Sequence, residues 1–373
     1  PGALELVQDY IGTYTYNGGI YGLPTLRNYS KNGYLLFNKP ILEELGLVEQ
    51  AQAVDSWSDY EAILKAVYDA HTAKGDGMYP TRGATGDWVC NNYVCTGDSF
   101  DSYVLFDNLG DSLSVVFTDM DGNVSLYQDH PGWVYEASVM ADWAEKGYVW
   151  PDSSFTTEFV DDCMKNQLIA TYIGGSEYGV GVVKTSTYGF ECLDVQTVAG
   201  MVKTSQPVSW GIGVPITSEE PEAAVKFLEL LYTDREMINY LNRGIEGVDY
   251  DVVDGQAKYK EGLNHYMGVE FVLGNNLLLL PLYGNGADFF EKVEEINRTA
   301  TKSPYMGFSL DTTGLDLVMG QITAVNDQYL QTMQGGGYTP ELYADYVQKL
   351  RNAEVQVYLD EVQKQLDAWL AQQ

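Results

Sequence analysis

The side chains that could carry out chemistry include only three histidines. His71, His130 and His265 lie far apart and match neither an H-E-x-x-H metal pattern nor a catalytic triad. We therefore interpret them as surface or capping residues. Ser176 lies in a segment that resembles a G-x-S-x-G nucleophile elbow, but Tyr178 stands where the second Gly is required. Nucleophilic and zinc-dependent catalysis thus have no motif in their favour.

Nucleotide and calcium sites are equally poorly supported. The sequence contains neither a Walker A loop nor G-x-G-x-x-G. Asp119, Asp121 and Asn123 are spaced as at the start of a calcium loop, but Gly122 comes two positions early and no Glu closes the loop. Asp121-Gly122 favours a β-hairpin instead, because this pair supplies the positive φ angles of a type I′ turn. We expect neither a metal nor a cofactor.

Carboxylates and aromatic rings dominate the remaining chemistry. With 53 Asp+Glu, some pair will lie close enough for glycoside hydrolysis, but the sequence does not show which. The chain also has 29 Tyr and 7 Trp, many beside Gly or Asn. Aromatic rings stack on the apolar faces of sugars while amides and carboxylates bind the hydroxyls. The composition therefore suggests a carbohydrate ligand, with core or loop anchors as the alternative role for most of these rings.

Length and charge exclude several classes of protein. At about 150 residues per domain, 373 residues predict two or three domains with a sizeable core. A net charge of -32 repels nucleic acid and anionic membrane surfaces. No apolar run reaches the roughly 18 residues that span a bilayer.

The cysteines and the first residues leave the setting open. Disulfides Cys90–Cys95 and Cys163–Cys192 would suit an exported protein, but four free buried thiols are an equally good interpretation. The chain begins at Pro1 without Met or a signal-peptide pattern, so we expect that a segment was removed upstream.

Helices and short strands alternate along the chain. Ser56, Asp234 and Thr339 predict helix starts, because their side chains can cap the first turn. A further helix is expected from about residue 217, with Ala224, Phe227, Leu228 and Leu231 on its buried face. Short apolar runs at 34–37, 169–173 and 211–214, and a hairpin of 115–117 with 124–127, predict strands. The pattern indicates α/β layers, and the absence of a linker indicates interleaved domains.

Several stretches resemble the family 1 extracellular solute-binding proteins of carbohydrate ABC importers. Phe37 and Ser56 stand where that family usually has Tyr and Thr. The second half resembles the lipoprotein-type oligosaccharide-binding subgroup. The matching stretches are 19–24 (GIYGLP), 34–47 (YLLFNKPILEELGL), 56–60 (SWSDY), 210–215 (WGIGVP), 221–228 (PEAAVKFL), 242–247 (NRGIEG) and 307–309 (GFS).

The resemblance implies a two-lobed, type II periplasmic-binding-protein-like α/β fold. Lobe one is expected to hold residues 1–27 and 207–304, and lobe two residues 28–206 and 308–373. Hinge crossings are expected near 24–30, 204–209 and 304–311. The family normally begins with several βα units before the segment that matches residues 1–24, so we expect lobe one to lack its N-terminal part here.

The implied function is a receptor without catalytic activity. It would capture an oligosaccharide between the lobes and deliver it to the permease subunits of an ABC importer. We expect a monomer that is extracellular and lipid-anchored, with the anchor outside this chain, or periplasmic. Two alternatives stay open: a glycoside hydrolase or lyase using paired carboxylates, and a binding protein for a peptide or polyamine.

The expected ligand contacts follow from the resemblance, because hinge segments lie at the cleft floor. Trp210 and Tyr178 would stack on sugar rings, and the charged and amide side chains would bind hydroxyls. The full set is Arg27, Asn28, Lys31, Trp88, Glu177, Tyr178, Trp210, Tyr305 and Asp311.

Overall fold

The chain forms two compact units, each made from two separate stretches of sequence. The computed structural model describes residues 2–16, 18–83, 93–156, 158–260 and 272–373. Unit 1 comprises Pro1–Ser30 and Val202–Ser309, and unit 2 comprises Lys31–Met201 and Leu310–Gln373.

Helices occur in both units. None in the described ranges is both long and apolar enough to cross a membrane. The α-helices are α1 (Ala3–Leu6), α2 (Lys39–Leu45), α3 (Val48–Gln52), α4 (Trp57–Lys74), α5 (Pro131–Glu145), α6 (Val160–Lys165), α7 (Val180–Tyr188), α8 (Ser205–Val208), α9 (Pro221–Thr233), α10 (Arg235–Arg243), α11 (Phe289–Thr299), α12 (Asp316–Thr332), α13 (Pro340–Asn352) and α14 (Val355–Leu370). A π-helical turn, Met333–Gly337, follows α12.

The strands are short apart from two that cross unit 2. They are β1 (Thr15–Tyr16), β2 (Gly19–Ile20), β3 (Leu23–Pro24), β4 (Lys31–Asn38), β5 (Tyr93–Cys95), β6 (Tyr103–Leu105), β7 (Val116–Thr118), β8 (Val124–Leu126), β9 (Thr171–Ser176), β10 (Cys192–Val202), β11 (Gly211–Ile212), β12 (Tyr250–Val253), β13 (Gln256–Tyr259) and β14 (Thr301–Lys302).

Unit 2 is built on an antiparallel sheet in which β4 lies between β10 and β9. Successive side chains of a strand point to opposite faces. Leu35 and Phe37 accordingly join one core cluster, and Tyr34 and Leu36 join another. Both faces of β4 are therefore covered, which is why the residues at the centre of the strand are all apolar.

Unit 1 has its own core, drawn from both of its stretches. Tyr29, Val202 and Leu231 are among the residues buried together there. The Tyr232 hydroxyl donates a 2.8 Å hydrogen bond to the Pro24 carbonyl oxygen. This bond ties α9 to β3, which pairs in antiparallel fashion with β11.

Local signals predict several helix ends correctly. The side chains of Ser56, Asp234 and Thr339 accept the backbone N–H three residues on, at 3.1, 3.0 and 3.1 Å. These bonds satisfy N–H groups that a helix start leaves without partners. Gly244, with a φ of 87°, ends α10 as expected.

The predicted hairpin of β7 and β8 is confirmed, but its type I′ turn is wrong. The strands pair in antiparallel fashion, and the loop between them is longer than two residues. Of Asp121 and Gly122, only Gly122 has a positive φ, at 92°. The reason is the Asp119 side chain, whose Oδ1 accepts N–H bonds from Asp121 and Asn123 at 2.9 Å each and shapes a wider loop.

The predicted buried face of α9 is only partly correct. Leu228 and Leu231 are buried, but Phe227 is 46% exposed. Adjacent helical residues are separated by about 100° around the axis. Phe227 therefore lies beside the narrow stripe that packs on the unit 1 core, and not within it.

Candidate functional site

Arg27 and Asn28 occupy a segment of unit 1 whose backbone is held by side chains. The Asn297 Nδ2 of α11 donates to the Arg27 carbonyl oxygen at 2.7 Å, and its Oδ1 accepts the Tyr29 N–H at 2.9 Å. The Tyr29 hydroxyl donates to the Thr25 carbonyl oxygen at 2.6 Å. These bonds fix the backbone from which Arg27 and Asn28 project.

Both side chains carry hydrogen-bonding groups suited to a polar ligand. The Arg27 guanidinium lies 3.4 and 3.5 Å from two oxygens of Gln206 and 5.9 Å from the Tyr29 ring centre. The Asn28 Oδ1 accepts the Ser30 N–H at 3.1 Å, whereas its buried Nδ2 has no hydrogen-bond partner in the described ranges. A buried amide without an acceptor costs about 1–3 kcal/mol, so an acceptor supplied by a ligand would be stabilising.

Trp210 presents an aromatic surface in the same unit. Its side chain is 43% exposed, and its carbonyl oxygen accepts the Thr25 N–H at 3.1 Å. The Tyr14 hydroxyl donates to the Pro207 carbonyl oxygen at 3.2 Å. A Cβ at Gly211 would lie 2.2 Å from that hydroxyl, so glycine is required for the ring's close approach. Burial raises the pKa of Tyr14, which keeps it a donor.

Lys31 and Glu177, both expected ligand contacts, are paired with each other in unit 2. Their Nζ and Oε1 atoms lie 3.0 Å apart, and each side chain is about one-third exposed, at 33% and 34%. The pairing of Asn32 with Ser176 places them at one edge of the β4–β9 pair. An ion pair this exposed stabilises by about 0–1 kcal/mol, so a ligand can rearrange it at little cost.

A hydrogen-bond network adjoins this pair. The Tyr34 hydroxyl donates to Gln196 Oε1 at 3.2 Å and accepts from Asn32 Nδ2 at 3.4 Å. Burial raises the pKa of Tyr34 to about 12, and the nearby Glu177 and Tyr178 add smaller upward contributions. Tyr34 therefore remains a protonated donor at neutral pH, and Tyr178 lies near it.

A cavity of about 140 Å³, here called the sheet cavity, opens on the Tyr34 side of β4 and β9. Lys184 and Asp161 line it and form a salt bridge at 2.7 Å. Arg82 also lines it and donates to the Glu158 carbonyl oxygen at 2.7 Å. Sites for whole small molecules measure roughly 300–1,000 Å³, so the sheet cavity suits one group of a larger ligand.

The three remaining expected contacts are a buried ring, an exposed carboxylate and a residue outside the described ranges. Tyr305 is only 2% exposed, and its carbonyl oxygen accepts from Thr204 Oγ1 at 3.3 Å. Its ring is thus buried within unit 1. The exposed Asp311 accepts the Thr313 N–H at 2.9 Å and caps its own loop. Trp88 lies outside the described residues.

Sequence reasoning missed Asn297, Gln206 and the Lys184–Asp161 pair. Asn297 lies 268 residues from Tyr29 along the chain, and no local pattern marks it. Lys184 lies 23 residues from Asp161, on a different helix. Only their positions in the fold assign these side chains to the candidate site.

Of the two interpretations of the cysteines, the structure favours free thiols at Cys163 and Cys192. Both are buried and free, so a disulfide between them is wrong. Burial raises the pKa of Cys163 and raises that of Cys192 to about 12, which keeps both thiols protonated. The suggested Cys90–Cys95 bond involves Cys90, which lies outside the described residues.

The histidines differ from one another. His130 caps α5 as expected, and its Nδ1 accepts the Gly132 N–H at 3.1 Å. His71 is wrongly interpreted as a surface or capping residue, because it is 5% exposed and its Nδ1 lies 2.7 Å from Asp76 Oδ2. His265 lies outside the described residues.

Comparison with known protein families assigns the chain to one of them. Residues 3–254, more than half of the chain, match the family described as bacterial extracellular solute-binding protein. The chain belongs to this family. Residues 304–371, which include α12 to α14, also match a domain of unknown function.

Individual relatives agree with this assignment. A carbohydrate ABC transporter substrate-binding protein of Streptococcus pneumoniae serotype 4 is 22% identical over 379 residues, which cover 97% of this chain and 72% of that protein. The solved N-glycan transport solute-binding protein NgtS from S. pneumoniae is 20% identical, with a TM-score of 0.80 over 97% of this chain and 78% of its own. An HMO-binding solute-binding protein from Bifidobacterium longum infantis is 18% identical, with a TM-score of 0.62 over 98% and 80%.

These likenesses confirm the predicted family and the type II, two-lobed α/β fold class. The family consists of solute-binding proteins and not of enzymes, so a receptor is confirmed over a glycoside hydrolase or lyase. Family membership also implies an extracellular or periplasmic location.

Proposed function

We propose that this protein is the sugar-binding component of an ABC importer, which captures an oligosaccharide and delivers it to membrane permease subunits. The observation that carries the proposal is the match of 97% of the chain to a carbohydrate ABC transporter substrate-binding protein. NgtS was solved in complex with Man5GlcNAc, and the structure of that complex has a TM-score of 0.76 to this chain. We further propose that the protein acts as a monomer held at the cell surface by a lipid anchor.

The residues of unit 1 suit a sugar. The exposed Trp210 indole offers an apolar face for stacking on a sugar ring. Arg27 donates through its guanidinium, and the Asn28 Nδ2 is a buried donor without a partner in the described part of the chain. Sugar hydroxyls accept from such donors, so these three residues are the proposed sugar contacts of unit 1.

Unit 2 has proposed sugar contacts of its own. Lys31 donates and Glu177 accepts, so the pair can bind adjacent hydroxyls once it opens. Tyr178 lies near Tyr34 and Glu177 and offers a half-buried ring. The sheet cavity beside Tyr34 accommodates a substituent of the bound ring.

Isothermal titration against Man5GlcNAc and kestose, with mass spectrometry of the recovered sugar, tests this function. We expect binding of an intact oligosaccharide. Trp210→Ala should weaken it by about 1–3 kcal/mol, the usual cost of removing an aromatic anchor. Tyr240→Ala, which removes another exposed ring (58%) of unit 1, is the matched control and should leave affinity unchanged.

Each opposing outcome would be informative. Failure to bind any member of an extended oligosaccharide panel would overturn the sugar ligand, and shortened products would overturn a purely binding role. Equal affinity of the wild type and Trp210→Ala would remove Trp210 from the site while leaving the function intact.

A further inference from the structure

A second and larger cavity, of about 740 Å³, lies in unit 2. We call it the glycine-rich cavity, because Gly75, Gly77, Gly147 and residues 335–337 are among its lining residues. The ends of α4 and α5 and the turn after α12 contribute to its walls. Its volume falls within the roughly 300–1,000 Å³ of small-molecule sites. It shares no described lining residue with the sheet cavity.

The charge of this lining is unlike that of the protein as a whole. The sequence has 53 acidic and 21 basic residues, yet no Asp, Glu, Lys or Arg is among the described residues that line the cavity. Desolvating a charged ligand without a counter-charge is costly. The cavity therefore suits an uncharged ligand.

Aromatic side chains form part of the wall. Phe155 lines the cavity although it is 81% exposed, so a ligand would cover apolar surface that now faces water. Tyr68 packs edge-on against Tyr148 at 5.4 Å. A Cβ at Gly147 would lie 3.1 Å from the Tyr68 ring, so that ring is held closely. Fixed and exposed rings of this kind stack on the C–H faces of sugars.

A buried imidazole also lines the cavity. His71 lines the cavity, is 5% exposed, and has its Nδ1 2.7 Å from Asp76 Oδ2. The Asp76 carboxylate accepts from Nδ1, which fixes the orientation of the imidazole. Nε2 is itself buried and has no hydrogen-bond partner in the described ranges, so His71 contributes a fixed ring to the wall and no accessible hydrogen-bonding atom.

We propose that the glycine-rich cavity is a second carbohydrate site, in which one or two neutral sugar rings stack on Phe155 and Tyr68. Its lining includes none of the residues assigned above to the oligosaccharide site. The inference is therefore independent of whether Trp210 contacts the transported sugar.

The test measures the affinity of maltose, lactose, cellobiose and mannobiose by ligand-observed NMR, using the Trp210→Ala protein as the background. Phe155→Ala removes the exposed ring, and Tyr68→Leu removes the second ring. Each should weaken binding roughly 2- to 10-fold, as for the loss of one ring contact. Phe159→Ala, which removes a 77%-exposed ring outside the cavity in the same unit, should leave affinity unchanged.

Three outcomes would overturn the proposal. They are the absence of disaccharide binding at millimolar concentration, affinities that neither Phe155→Ala nor Tyr68→Leu changes, and binding of glucose 6-phosphate as tight as that of maltose. Because Phe155 is largely exposed, its variant keeps the test valid if Tyr68→Leu fails to fold. A Man5GlcNAc affinity that Trp210→Ala lowers, with the disaccharide affinity unchanged, would separate the two sites.

Discussion

Replacing Glu136 with Gln should remove a pH dependence of stability that a buried carboxyl imposes on unit 2. Glu136 lies on α5 and is 4% exposed. Its Oε1 accepts the Cys95 N–H at 2.8 Å, and its Oε2 has no hydrogen-bond partner in the described ranges. Burial raises the pKa of Glu136 to about 8, although the bond from Cys95 opposes the rise. The folded protein therefore holds a proton there at neutral pH.

The magnitude follows from proton linkage. The unfolded chain loses this proton near the ordinary glutamate pKa of 4.5, whereas the folded chain keeps it to about pH 8. The folded state binds more protons than the unfolded state in this window, so the unfolding free energy falls as the pH rises. The contribution of protonated Glu136 to that free energy is complete below pH 4.5 and is lost as the pH rises towards 8. The slope is about 1.4 kcal/mol per pH unit. Between pH 5 and pH 8, Glu136 should thus cost roughly 4 kcal/mol of unfolding free energy.

Urea unfolding at pH 5, 6, 7 and 8, followed by tryptophan fluorescence, measures this effect. Trp57, Trp133 and Trp143 are buried in unit 2 and report its transition. Gln keeps the acceptor for the Cys95 N–H and cannot ionise. The wild type and Glu136→Gln should be similarly stable at pH 5, and the variant should be the more stable by several kcal/mol at pH 8.

The difference between the two proteins is the decisive quantity, because general repulsion among 53 acidic residues also lowers stability as pH rises. Glu145→Gln, on the same helix but exposed, is the control for removing one carboxylate. Parallel stability curves for the wild type and Glu136→Gln would refute the argument. So would a variant that is equally destabilised at every pH.

Two further predictions concern unit 1. Asn297→Ala leaves the buried Arg27 carbonyl and Tyr29 N–H without their side-chain partner, and should cost about 2–4 kcal/mol of unfolding free energy. Calorimetry should show a lower unfolding temperature for unit 1. An unchanged temperature would contradict the role of Asn297 in holding this backbone segment. Asp234→Ala removes the N-cap of α10 and should cost about 1 kcal/mol in urea unfolding. Asp234→Asn should restore most of that loss, and a variant as unstable as Asp234→Ala would contradict the capping argument.

The features that the sequence predicts well are those determined within a few residues. Ser56, Asp234 and Thr339 cap their helices through the N–H three residues on, so each signal and its partner lie in one short window. The fold class follows from motifs whose order and spacing recur in the family, and not from the hydrophobic pattern alone. Phe227 shows the limit of that pattern, because helical spacing does not reveal how wide the packed stripe is.

The candidate site is less accessible to such reasoning, because its members are joined across long separations. Lys31 and Glu177 are each expected as ligand contacts, but nothing in the sequence indicates that they pair with each other. Tyr305 is expected in the site for its place near a hinge, and its burial depends on packing that no local signal encodes. Asn297 is a single amide, identifiable only from its two bonds to a distant segment.

The charges among the candidate residues do not favour a polyamine ligand, despite the net charge of -32. In unit 2, Glu177 already pairs with Lys31 at 3.0 Å, and Asp161 pairs with Lys184 at 2.7 Å. In unit 1, Arg27 donates to carbonyl oxygens, which orient a guanidinium without cancelling its charge. In each unit a cation would therefore lie close to a positively charged side chain, whereas a sugar hydroxyl both donates and accepts. The net charge thus gives no reason to prefer a cationic ligand, and the proposed contacts suit a neutral, hydroxyl-rich one.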